Sequence, residues 1–268
     1  MQTPTCADET PREQAAFLPA PGGPLYTVLH GVENPTARIL LVGPFASERH
    51  FSYHPWVRWA RFLAARRIEV LRYDYRGVGE SPGAFEKMTW AGWNEDVAVL
   101  AEWFANRSPE VPFLLHGLEA GAVLAGRVFA SGAGDGLLMW SPPANANQAL
   151  RSSLMRWAGL EQLFESVQNR KTALEYIREL EQGSSIEVAG YCWSSALWHE
   201  SLTFQMPSGL LEGTTGGSRP VKAVKLDKNA APLVKPYLGY DELRPLTTLY
   251  SANFDWIASS LGLSAEGR

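Results

Sequence analysis

The sequence predicts an α/β protein, in which a mostly parallel, eight-stranded sheet is flanked by helices and a helical insertion follows the sixth strand. Two patterns and one quantity carry this reading. Through the first half of the chain, apolar runs of strand length alternate with longer segments of helical period, as in a mainly parallel sheet covered on both faces. From 148 to about 182 that alternation gives way to a long amphipathic helical pattern. With 268 residues, 46% hydrophobic and 19% charged, the chain has material for one large core. It is read as a single domain over 1–268, with a helical cap inserted at about 145–215.

The elements follow in order. Short strands are expected at 14–18 and 25–30, then the apolar run ARILLVG at 37–43 enters the loop PFASERH. The helix PWVRWARFLAARR follows, with Trp56, Trp59, Phe62 and Leu63 on one face. Next come the strand IEVLRYD and the turn YRGVGESPG, where Gly77, Gly79 and Gly83 mark a tight backbone path. Over 89–107, Trp93, Val97, Leu100 and Phe104 recur at helical spacing behind a Thr89 cap. The strand VPFLLH, the helix AGAVLAGRVFAS and the strand DGLLMW then lead to the break SPPANAN. In the insertion, the stripe through Leu154, Trp157, Phe164, Val167, Leu174 and Leu180 is too apolar to leave in water. It should cover the carboxyl edge of the sheet or pair with a second copy, making a homodimer through the cap helices. After the loop GLLEGTTGGSRP, VKAVKL at 221–226 and LTTLYS at 246–251 are expected to close the sheet, with a last helix near 254–262.

The chemistry concentrates at LHGLEAGAVLAG. Gly117, Leu118, Glu119, Ala120 and Gly121 follow the G-x-S-x-G pattern of a strand-to-helix elbow, but a carboxylate stands where that pattern holds a nucleophilic serine. The succession of eight strands, elbow and insertion resembles the α/β-hydrolase superfamily over nearly the whole chain. Two local words agree: LLVGPFASERH lies where that family builds half of its oxyanion hole. Asp74, Arg76, Gly77, Gly79 and Ser81 match its D-x-R-G-x-G-x-S loop. More narrowly, PFASER, the serine-less elbow and IEVAGYCWSSAL resemble the second of two hydrolase types associated with bacterial exosortase A and exopolysaccharide systems.

The resemblance implies a nucleophile at 119, an acid after the seventh strand and a histidine after the last. Asp227 matches the acid, but none of the five histidines (His30, His50, His54, His116, His199) lies in the last 69 residues. The base position falls near Ala252, Asn253 and Phe254. Glu119 and Asp227 are thus the candidate catalytic positions of a degenerate triad. Phe45, Ala46, Ser47, Arg49, His50, Ala120 and Asn253 are the candidate pocket residues. Arg49 or His50 should pair with Glu119, and together with the start of the following helix should keep it ionised, favouring ligands that offer a cation or hydrogen-bond donors. His116 reads as a core histidine, His199 as a surface or lid residue, and Ser81 as a cap of its own loop.

Composition narrows the partners. A net charge of −4 and no basic cluster beyond Arg66–Arg67 argue against nucleic acid. RGVGES lacks the third glycine of a dinucleotide fingerprint and does not open the first βαβ unit. Two distant cysteines, Cys6 and Cys192, supply neither a disulfide framework nor metal spacing. No cofactor or metal is therefore expected. A polar beginning and no apolar run of about 18 residues suggest a cytoplasmic protein with no transmembrane segment. The expected function is that of a catalytically impaired hydrolase relative, binding a small acyl or glycolipid-like ligand or an exosortase-pathway partner. Its rivals are an active hydrolase, of ester type or using Glu119 as carboxylate nucleophile, and a purely structural interaction module.

Overall fold

The computed structural model describes residues 12–166, 169–213, 219–226 and 243–263. Its main sheet contains β1 (Arg12–Leu18), β2 (Leu25–Gly31), β3 (Ala37–Val42), β4 (Ile68–Tyr73), β5 (Phe113–Leu118), β6 (Gly136–Trp140) and β9 (Val221–Val224). The strand order is β1-β2-β4-β3-β5-β6-β9. The β1–β2 and β2–β4 pairs are antiparallel, and every pair from β4 to β9 is parallel. β3, β4, β5 and β6 are buried along their whole length, as their near-continuous apolar sequences require of strands covered on both faces.

The pleat sends alternate residues into two cores. Leu40 and Val42 of β3 face α2 (Trp90–Asn106) and α3 (Ala120–Ala130), whereas Ile39 and Leu41 face α1 (Arg49–Ala64) and α7 (Leu243–Ser260). β4 and β5 flank β3 on opposite sides, so the chain reverses its winding there. The crevice at the carboxyl ends of these strands is where an open α/β sheet binds ligands.

Two expectations are corrected. The described sheet has seven strands rather than eight, because 246–251 lies inside α7. Leu246, Tyr250, Phe254 and Ile257 are all buried, a 3.6-residue spacing that overrides the local β-propensity of LTTLY. The long helix expected over 148–182 is two: α4 (Ala146–Phe164) and α5 (Ala173–Glu181). Thr172 and Glu175 form a reciprocal capping box, a signal to start a new helix. Leu154 and Leu180 are buried, but Leu174 sits 63% exposed and Val167 is outside the described residues.

The rest of the insertion is a hairpin, β7 (Ile186–Val188) and β8 (Tyr191–Trp193), followed by α6 (Ser195–Thr203). The hairpin turns on Ala189 and Gly190, both at positive φ, as a two-residue turn of this hand requires. Glu200 of α6 accepts from the N–H groups of Trp90 and Ala91, filling the open donors at the start of α2 and tying the insertion to the core. Among the described residues no helix is long and apolar enough to cross a membrane.

Candidate functional site

The elbow forms as its sequence dictates. Glu119 lies between β5 and α3 at φ 49°, ψ −117°, and its N–H donates to the Trp140 carbonyl. The flanking glycines are sterically required: a Cβ at Gly121 would stand 2.1 Å from the Gly43 carbonyl oxygen, and one at Gly117 would stand 2.3 Å from Ala122 Cα. Ala120, the first residue of α3, presents a backbone N–H beyond the reach of intrahelical acceptors. The backbone of a nucleophile elbow is intact, and its side chain is a carboxylate.

Glu119 finds its partner on the insertion. Arg156 of α4 donates Nη2 to Glu119 Oε2 at 3.1 Å and makes a second ion pair, Nε to Glu48 Oε2, at 2.8 Å. Glu48 ends the tight turn Ala46–Glu48 after β3 and is 6% exposed at its side chain, while Glu119 is 18% and Arg156 27% exposed. Behind them, Ser153 donates to Glu48 Oε1 at 2.6 Å, and Ser47 lies 3.0 Å from the Ser153 hydroxyl. With Ser153's proton committed to Glu48, Ser47 is the donor in that pair. Two acids from the core thus share one arginine from the insertion.

Burial works against the ionised state expected of Glu119. Burial raises the Glu119 pKa to about 7; Arg156 opposes the rise, and the nearby Glu48 carboxylate reinforces it. The loop cation assigned to Glu119 is engaged elsewhere: Arg49 forms a bidentate pair with Asp74 at 2.8 and 3.0 Å, and His50 is exposed, near Tyr191. Asp74 also accepts from the Glu80 N–H, and Ser81 donates to its carbonyl while accepting from the Tyr26 N–H. The D-x-R-G-x-G-x-S word is a loop clamp that reaches back to β2.

The other candidates separate. A pocket of about 540 Å³ opens beside Glu119, between α4 and the ends of β6 and β9, with Ser141, Gln148, Ser152, Arg156 and Lys225 among its walls. Phe45 and Ala46 do not line it: the Phe45 ring is buried among Trp90, Trp93, Phe85 and Trp193, and Ala46 is 1% exposed. Ser47 is buried in the relay behind the ion pairs. Asn253 is buried on α7 and donates to the Leu249 carbonyl, away from the pocket, because the segment expected to deliver it as a strand end is helical. Asp227 lies outside the described residues.

No histidine lines the pocket. His116 accepts from Trp59 Nε1 at 3.0 Å in the α1–α7 core, and burial lowers its pKa to about 3. His30 accepts from Arg72 Nε, and His54 and His199 are exposed. Sequence reasoning missed Glu48, Ser153, Arg156, Ser141 and Lys225. One signal was present: Ser153 and Arg156 interrupt the apolar stripe on either side of Leu154, at the three-residue spacing that puts both on one helix face.

A family model described as serine aminopeptidase, S33, matches residues 29–219. No curated protein matches the chain. Among solved structures, a soluble variant of monoglyceride lipase from Saccharomyces cerevisiae, in complex with a substrate analog, is 12% identical. It aligns over 97% of this chain and 99% of its own, with a TM-score of 0.60. Est1E from Butyrivibrio proteoclasticus, with bound ferulic acid, is 14% identical over 92% of this chain and 100% of its own, at TM-score 0.59. A lidless α/β serine hydrolase from Xanthomonas campestris is 26% identical over 53% of this chain, which spans 65% of that protein's length, at TM-score 0.43. At these identities the structural likenesses to the lipase and to Est1E bear on the fold. The family match runs from within β2, through the switch point, the elbow and the insertion, to the approach to β9, and the chain belongs to the serine aminopeptidase S33 family of α/β hydrolases.

Proposed function

We propose that this chain is a non-hydrolytic member of its family, a binding protein whose pocket takes a small acyl or glycolipid-like ligand. The observation that carries the reading is the ion pair between Glu119 and Arg156: the nucleophile position is occupied by a carboxylate that is itself held by the insertion. Acyl transfer needs a nucleophile with a base in hydrogen-bond reach and a donor hole for the oxyanion. Of these, the elbow supplies only the last. A carboxylate at the same place opposes the charge that builds on an ester oxygen, and no histidine stands by the pocket to activate water. The pocket itself supports binding over a purely structural role, since about 540 Å³ is left open beside the elbow. The resemblance of PFASER and IEVAGYCWSSAL to exosortase-associated proteins supports a ligand from envelope polysaccharide or sorting chemistry, with the insertion acting as the cap over it.

The test is direct. The purified protein should resist fluorophosphonate probes and turn over short p-nitrophenyl esters at the background rate. Glu119→Ser should do no better, because the serine would face Arg156 rather than a base. Stoichiometric labelling of a serine in the native protein, lost on prior denaturation, would end the reading.

A further inference from the structure

Among the described residues, three charged groups line the pocket: Glu119 at the elbow, Arg156 from α4 and Lys225 just beyond β9. Arg156 is already balanced by the buried Glu48, and Lys225 has no ion-pair partner among the described residues. With Glu119 ionised, the two carboxylates and two cations cancel. With Glu119 neutral, one positive charge is left over, shared between Arg156 Nη2 and the Lys225 ammonium. The remaining wall is largely apolar, with Pro142, Pro143, Ala149 and Leu226 prominent. The cation that sequence reasoning assigned to a ligand is supplied by the chain itself, and the charge left without a counterpart on the pocket wall is the Lys225 ammonium, which suits an anion.

Resting on the binding role proposed above, we infer that the ligand is an amphipathic monocarboxylate. Its carboxylate lies against Arg156 and Lys225, its apolar tail lies along the proline wall, and Glu119 takes up one proton as it binds. No bond is made or broken in the ligand; the proton comes from solvent and stays on Glu119. Among the described residues, the groups facing Glu119 are Arg156 from α4, Glu48 from the turn after β3 and Lys225 across the pocket. Burial already holds the Glu119 proton until about pH 7, so the protonated form is on hand at neutral pH.

Titration calorimetry of the full chain with decanoate, decanamide and decyltrimethylammonium over pH 6.5–8.5 tests this. Decanoate stays ionised across that range, and one linked proton weakens its binding by about tenfold per pH unit above pH 7. Glu119→Gln should bind decanoate with a flat pH profile at the affinity the unaltered chain shows at pH 6.5. Lys225→Met should weaken decanoate at least tenfold and decanamide far less. Equal binding of the acid and its amide, preference for the quaternary ammonium, or a flat profile in the unaltered chain would each overturn the inference. Serine labelling by a fluorophosphonate would instead sink the non-hydrolytic reading, whatever the decanoate profile.

Discussion

Replacing Glu119 by Gln removes one titrating group and keeps its shape, so the variant isolates what that carboxylate does to the fold. Its pKa rises from an ordinary 4.5 to about 7 in the folded protein, which makes the folded state bind more protons than the unfolded state between those values. Stability therefore falls as pH climbs through this window, and below 4.5 the two states hold the proton alike. Each pH unit is worth about 1.4 kcal/mol, so the full span amounts to about 3 kcal/mol. For a chain of this size that is a melting-temperature difference on the order of 8 °C. Other buried groups titrate nearby. His30 and His116 are lowered by burial to about 4 and 3, which adds stability as pH rises toward the ordinary histidine value, while Asp96 is raised to about 6 and works the other way. Those contributions are common to both proteins and cancel in the difference between the two melting curves. Measured by differential scanning calorimetry from pH 5 to 8, Glu119→Gln should gain on the unaltered chain steadily, reaching about 3 kcal/mol at pH 8. Parallel curves, or a variant that loses ground as pH rises, would mean that Arg156 outweighs burial and that Glu119 is an ordinary ionised partner.

Removing Arg156 leaves Glu48 buried without its cation. Arg156→Met should cost about 2–4 kcal/mol, the lower part of the range reflecting the arginine's 27% exposure. A double-mutant cycle with Glu48→Gln should return a coupling above about 1 kcal/mol, and additivity within about 0.5 kcal/mol would refute the pair. Gly121→Ala should abolish folding or lower the melting temperature severely, because its Cβ would lie 2.1 Å from the Gly43 carbonyl oxygen and 2.3 Å from that of Val42; a circular dichroism melt at the unaltered temperature would show the elbow to be looser than described. Glu200→Ala removes the acceptor at the start of α2 and should cost about 1–2 kcal/mol, with faster hydrogen exchange confined to the first turn of α2 and to α6.

The first six strands, α1 to α3 and the elbow were legible because each is a local pattern: a continuous apolar run for a doubly covered strand, a helical stripe, and paired glycines at a backbone crossing. The misreadings have local causes too. LTTLY is rich in residues that favour strands, and only the wider spacing of Leu246, Tyr250, Phe254 and Ile257 reveals its helix. Thr172 and Glu175 do spell a helix start, which the stripe running through them concealed. At the site, the elbow was visible but its partner was not. Arg156 lies 37 residues downstream of Glu119 on a separate element, and no sequence period links them. Arg49, only two residues from Ser47, was the nearer candidate and is held by Asp74. The pull against ionisation was hidden for the same reason: the loop cations and the helix start pointed to a charged Glu119, whereas its burial and the second carboxylate of Glu48 are tertiary facts.

Glu119 and Ser141, at φ 49° and 46°, both end adjacent strands at positive φ, and each passes its N–H to the next strand over: Glu119 to Trp140, Ser141 to Val224. Leu226 then returns a bond from its N–H to the Ser141 hydroxyl. These cross-strand bonds in effect rivet the ends of β5, β6 and β9 into one plate. Under the binding role proposed above, such a plate would serve as the floor and variation among ligands would be absorbed by the opposite wall. That wall is α4, where Gln148, Ala149 and Ser152 face the pocket one helical turn apart and can be exchanged without disturbing a single rivet. On that reading, changing the ligand would be a matter of redesigning one helix face.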